Sequence, residues 1–174
     1  MPFAASPSRH WRHFSAGRCL NPINQRWPSI SATLPKRAPL RSPDSLGGYA
    51  AVVTVAGEEQ IIVGRERATT NNKMEMTAAI KALEAVPQGL SIVIHSDSQY
   101  VIKGATEWLR GWMAKGWRKA DGKPVLNQDL WMQMVAAMAG RKIVWKWVKG
   151  HAGHPENERV DSLANGEAQQ AARS

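Results

Sequence analysis

Carboxylates are scarcest at the start of this chain. From Met1 to Leu46 the only acidic side chain is Asp44, against Arg9, Arg12, Arg18, Arg26, Lys36, Arg37 and Arg41. The imbalance persists over all 174 residues, with 14 acidic and 23 basic side chains and a formal charge of +9. Such an excess favours a polyanionic partner, nucleic acid before membrane, because the aromatic residues are not gathered on one amphipathic helix. A single cysteine excludes an intramolecular disulfide and a cysteine-rich zinc site, and it suits a reducing compartment, so a cytoplasmic location is expected. No apolar run approaches the roughly 20 residues that span a bilayer. An apolar content of 43% is enough to fill the core of one ordinary domain, expected to be a monomer.

Two regions differ in kind. Residues 1–46 are basic and rich in proline and serine. They fit an organelle transit peptide, a disordered nucleic-acid-binding arm, or sequence foreign to the fold. Their only strand candidate is Ser29–Leu34, stopped by Pro35. Residues 47–170 read as the folded domain. Tyr49–Val55 and Gln60–Val63, around a turn at residues 56–58, form an antiparallel hairpin. A helix then runs from about Asn72 to Val86, with Met76, Ile80 and Leu83 as its core stripe. Glu75 shares a side with Ala78, Ala79 and Ala82, so a carboxylate is aimed inward; the competing role is a capping box with Asn72 at the N-cap.

Leu90–Asp97 is an apolar, β-branched run ending in a carboxylate, the pattern of a parallel strand buried on both faces. Asp97 therefore sits at the carboxyl end of a central strand, the edge where open α/β sheets bind ligands, unless it merely caps the next helix. That helix runs to about Arg110, and Gly111–Lys123 then interleaves tryptophans with Lys115, Arg118, Lys119 and Lys123. Trp108 and Trp112, four apart, read mainly as packing. Asn127 caps a further helix with Leu130, Met134 and Met138 inside and Gly140 at its end; Lys142–Val148 is another strand. A Gly/His loop leads from Lys149 into a last helix beginning near Pro155 and carrying Asp161. With no cysteine or third histidine close in sequence to His151 and His154, a zinc site is disfavoured. His151 reads as a loop imidazole that moves protons near neutral pH.

Glu75, Asp97 and Asp161 lie on separate elements. Converging carboxylates repel unless a cation lies between them, and oxygen-only ligation selects Mg²⁺ or Mn²⁺. Several stretches resemble one family in order: Gly47-Gly-Tyr49, Thr69-Thr-Asn-Asn-Lys-Met-Glu75, Ser96-Asp-Ser-Gln-Tyr100, Trp108 through Trp117, Asn127-x-Asp-Leu-Trp131 and Lys149-Gly-His-Ala-Gly-His-Pro-Glu-Asn-Glu-Arg-x-Asp161. The chain from Gly47 to about Ala168 thus resembles the bacterial type 1 ribonuclease H family. The resemblance implies an α/β, ribonuclease H-like fold: a five-stranded mixed sheet flanked by helices. It implies an endonuclease that hydrolyses the RNA strand of an RNA–DNA hybrid by a two-metal-ion mechanism, giving 5′-phosphomonoesters. Glu75, Asp97 and Asp161 match the metal-binding carboxylates and His151 the mobile histidine. Thr70, Asn71, Asn72 and Gln99 match hybrid-contacting positions, and Trp108, Lys115, Trp117 and Lys119 fall in the basic protrusion. Mg²⁺, with Mn²⁺ as substitute, is the implied cofactor.

One departure stands out. The family's first, central strand ends in Thr-Asp-Gly, and nothing before Gly47 resembles it. Sliding the pattern back from Tyr49 puts Arg37 at that aspartate and Pro35 inside the strand, where a proline breaks a central ladder. The first strand and the fourth carboxylate are therefore in doubt. The competing functional class is a catalytically crippled module that binds hybrids or other nucleic acid through the same basic face.

Overall fold

The computed structural model describes residues 29–32, 46–55, 58–149, 159, 162–164 and 166. The strands are β1 (Ser29–Ala32), β2 (Leu46–Val55), β3 (Glu58–Arg67), β4 (Ser91–Ser96) and β5 (Lys142–Trp147). They form one sheet in the order β3-β2-β1-β4-β5. The hairpin pairs antiparallel from Leu46 opposite Arg67 to Val55 opposite Glu58. Between it and the parallel pair β4–β5 lies β1, antiparallel to β2 and parallel to β4. The expected five-stranded mixed sheet is present, and the slot in doubt is filled by the one strand candidate of the N-terminal segment. The fill is short. Ile30–Ala32 of β1 pair with Ala51–Val53 on one side and Ser29–Ala32 pair with Val93–Ser96 on the other, while β2 is ten residues long.

Helix α1 (Asn71–Ala85) lies across the sheet with Met76, Ile80 and Leu83 buried, as the spacing predicts, and with Ala78, Ala79 and Ala82 also buried. Small side chains on that face let the helix approach Ala51, Val53, Val55, Ile92 and Ile94, which complete the main core. Its N-cap is Thr70, whose hydroxyl accepts from the Lys73 amide at 3.4 Å, rather than Asn72. Glu75 is thereby released from a capping role. On the opposite face of the sheet Ala50 and Val52 pack against Leu163 and Ala164. Strand β4 alternates instead of being buried throughout: Ile92, Ile94 and Ser96 are buried, and Val93 and His95 only half so.

The helical run after Ser98 has three parts and extends beyond Arg110: α2 (Gln99–Lys103), a π-helical turn (Gly104–Trp108) and α3 (Leu109–Ala114). The turn lies where Gly104 meets Trp131 of α4 (Gln128–Met138); a Cβ at Gly104 would stand 2.0 Å from Trp131 Cη2. Trp131 is fully buried, and its indole N–H donates to Tyr100 Oη at 3.1 Å. Rings of Tyr100, Trp108, Trp112 and Trp131 form a chain with centroids 5.4 to 6.2 Å apart. Sequence spacing identified Met134 and missed Trp131. Gly104→Ala brings better helix propensity, worth about 1 kcal/mol, but forces a methyl into an indole that has no room to move. Overpacking should win, so urea unfolding of Gly104→Ala is expected to show a net loss of about 1–2 kcal/mol.

Candidate active site

Strand β4 delivers its carboxyl end to the rim of the core, and the chain turns there through Asp97 and Ser98. The Ser98 amide donates to Ser96 Oγ at 3.1 Å, and Ser98 Oγ accepts from the Val101 amide at 3.2 Å. Ser98 is thus the N-cap of α2, and Asp97 does not serve as the cap. The end of the strand is held from β5 as well. The Val148 amide donates to the Ser96 carbonyl at 3.0 Å, and Trp147 Nε1–H donates to the Asp97 carbonyl at 3.2 Å.

Glu75 reaches this turn from α1. The Ser98 hydroxyl donates to Glu75 Oε2. Burial pushes the Glu75 carboxyl up to about 7; the Ser98 hydrogen bond opposes the shift and the charge of Asp97 adds to it. The fold therefore brings two of the three expected carboxylates together. An all-oxygen pair that repels itself fits a small, hard divalent cation, because such an ion removes both the repulsion and the desolvation penalty. Among the described residues no three His, Cys, Asp or Glu side chains converge. Asp161, His151 and His154, and the start of the last helix at Pro155, lie outside the described residues. Arg159 pairs with Glu59 of β3 at 2.7 Å.

Thr70, Asn71 and Asn72 occupy the start of α1, one turn before Glu75, with Thr70 exposed and the asparagines half-buried. Gln99 is exposed at the first position of α2. Trp108 is half-buried in the aromatic chain, consistent with packing as its main task. Past α3 the chain forms a loop in which Gly116 and Trp117 both take positive φ. The Trp117 amide donates to the Trp112 carbonyl at 2.7 Å, and the Lys119 amide donates to the Lys123 carbonyl at 2.9 Å. Lys115 and Lys119 are exposed on this loop, with Trp117 half-buried between them. Sequence reasoning missed Ser98 and Trp147. A serine directly before a helical pattern signals a cap; nothing local signals its second partner on α1.

The family model described as RNase H matches residues 40–169. The chain belongs to the RNase H family. It is 57% identical over 119 residues to the ribonuclease H of Thiobacillus denitrificans, covering 68% of this chain and 80% of that one. The ribonuclease HI of Caulobacter vibrioides is 51% identical over 125 residues, 72% of this chain and 84% of that one. Among solved structures, LC9-RNase H1, a type 1 RNase H with the type 2 active-site motif, superposes with a TM-score of 0.69 at 29% identity, covering 85% of this chain and 75% of that one. The fold also matches LC11-RNase H1, solved in complex with an RNA/DNA hybrid, at a TM-score of 0.60 and 18% identity, covering 83% of this chain and 99% of that one.

The raised Glu75 has a signed consequence for stability. The folded protein holds the Glu75 proton up to about pH 7, whereas the unfolded chain releases it near 4.5. Stability from this group is therefore full below about 4.5 and is lost as pH rises through about 7. In EDTA, Glu75→Gln should match the parent protein in urea unfolding at pH 4 and exceed it at pH 8 by up to about 3 kcal/mol. Equal stability at both pH values would show that the carboxyl is not raised.

Proposed function

We propose that the chain hydrolyses the RNA strand of RNA–DNA hybrids endonucleolytically, at the carboxyl edge of the sheet, leaving a 3′-hydroxyl and a 5′-phosphate. The observation that carries this reading is the meeting of Glu75, desolvated by burial, with the like charge of Asp97 in a chain of net charge +9. Glu75, Asp97 and Asp161 would hold Mg²⁺, or Mn²⁺ in its place. Such ions activate a water and stabilise the leaving oxygen when bound. Ser98 donates to Glu75 Oε2, and Trp147 and Val148 keep the end of β4 fixed. His151 moves a proton at its imidazole nitrogens. Thr70, Asn71, Asn72 and Gln99 contact the hybrid, where RNA is told from DNA by its 2′-hydroxyls. Trp108, Lys115, Trp117 and Lys119 support its backbone, the lysines through phosphates. A reducing cytoplasm suits the single cysteine, and a monomer suffices for all these roles.

A second reading has its own observation. The strand that fills the central slot, Ser-Ile-Ser-Ala, brings no carboxylate, and the first acidic residue of the chain is Asp44. A metal site with one carboxylate fewer compensates the mutual repulsion of two divalent ions less well, so activity is weakened or needs high Mn²⁺. In the limit the chain is a hybrid-binding module.

Metal-dependent cleavage separates the two. Asp97→Asn is expected to lower Mg²⁺- or Mn²⁺-dependent cleavage of a labelled hybrid by at least ~100-fold, the upper range seen for losing even an outer-shell partner of a metal ligand. Its melting temperature and hybrid affinity in EDTA should hold; full cleavage by this variant would displace the site from Asp97. Hybrid affinity in EDTA should also fall linearly on a log–log plot against salt, and Lys115→Ala and Lys119→Ala should each make the slope shallower by about 1. A slope unchanged by both would remove these lysines from the interface.

A further inference from the structure

Ser98 is buried and carries three polar connections at once. Its amide is fixed by Ser96 Oγ at 3.1 Å, its hydroxyl oxygen caps α2 by accepting from the Val101 amide at 3.2 Å, and its hydroxyl proton is given to Glu75 Oε2. A serine hydroxyl has one proton and two acceptor sites. With the helix amide occupying an acceptor site, the proton is free to point outward from the cap. The cap thus fixes where the hydroxyl sits, and the fixed hydroxyl selects one orientation of a carboxylate arriving from another element. Ser96, also buried, completes the support by tying the Ser98 amide back to β4.

Resting on the reading of Glu75 and Asp97 as metal ligands, we propose that Ser98 is a positioning residue. It aims Glu75 at the site beside Asp97 and thereby sets the affinity for the divalent ion. Without the hydroxyl, the Glu75 side chain regains rotamers that turn it away from Asp97, which the repulsion between the two carboxylates favours. Its hydroxyl donates to Glu75, so its role is exerted through that carboxylate. Supporting partners of this kind carry a tenfold to hundredfold share of metal affinity.

The test separates the cap from the aim. Ser98→Gly removes the hydroxyl yet costs a helix N-cap only a few tenths of a kcal/mol, whereas Ser98→Thr keeps a hydroxyl for both tasks. Mn²⁺ binding to the full chain is followed by calorimetry and by electron paramagnetic resonance, alongside hybrid affinity in EDTA. Ser98→Gly is expected to weaken Mn²⁺ binding by at least ~10-fold and to raise the metal concentration for half-maximal cleavage in proportion. Hybrid affinity in EDTA should be unchanged, and Ser98→Thr should restore metal binding. In Glu75→Gln, which has already lost the ligand, Ser98→Gly should change Mn²⁺ binding no further. Parental Mn²⁺ affinity in Ser98→Gly overturns the proposal while leaving the metal-site reading intact. An equal loss in the Glu75→Gln background also overturns it, because Ser98 would then act independently of Glu75. Absence of Mn²⁺ binding by the parent chain itself overturns both.

Discussion

Two carboxylates held together at the edge of a hydrophobic core are the constraint around which this fold is arranged. Burial raises the cost of ionising Glu75, and the charge of Asp97 adds to it. A sequence selected only for stability has cheaper ways to end a strand and line a helix. The fold opposes the repulsion with one hydroxyl, that of Ser98, and by locking the end of β4 from β5 through Trp147 and Val148. Rigidity here has a purpose. A pair that could move apart would relieve its own repulsion.

The same edge depends on how closely α1 lies on the sheet. Ala78, Ala79 and Ala82 place the helix backbone where a one-carboxylate reach from Glu75 arrives at the β4 turn. Larger residues at those positions would lift the helix and carry the carboxylate away from Asp97. The weakest part of the framework is the centre of the sheet. A four-residue β1 pairs with only part of β2 and β4, and it comes from a segment whose composition is unlike the rest of the domain. Parallel pairing is also slightly weaker per residue than antiparallel pairing, so a short parallel ladder between β1 and β4 contributes little on its own. Most of the hold on the site comes from α1 and β5 instead.

The aromatic chain from Tyr100 to Trp131 sets a second arrangement. Trp131 enters the space left by Gly104, and the helix there widens into a π turn. Tyr100, one turn from the active edge, accepts from Trp131 and donates to the Leu126 carbonyl at 3.2 Å. The loop bearing Lys115 and Lys119 is thereby joined through packed rings to the helix that begins at the Asp97–Ser98 turn. This is a structural link between the basic loop and the carboxylate edge, built from residues that read individually as ordinary core.

Local pattern alone determined much of this protein. Alternating and continuous apolar runs located β2 to β5, spacing identified the core stripe of α1, and the abrupt end of Leu90–Asp97 pointed to the edge where Glu75 and Asp97 meet. The ordered motifs from Gly47 onward identified the family. These features were legible because burial repeats with the period of a strand or helix, and because a charge ending an apolar run is visible within a few residues. Other features had no local signature. Thr70 rather than Asn72 caps α1, since either residue type suits a cap and only the path of the chain chooses. Trp131 is buried on α4 more deeply than Leu130, which is half-buried against the core, because Gly104 makes room for it from another helix. Ser29–Ala32 enters the central slot although nothing in its sequence resembles the family's strand. Two of the hydrogen bonds at this edge, from Ser98 to Glu75 and from Trp147 to Asp97, span 23 and 50 residues. Periodicity tells each element which face to bury; only the packed sheet decides which faces meet, and the site exists where they do.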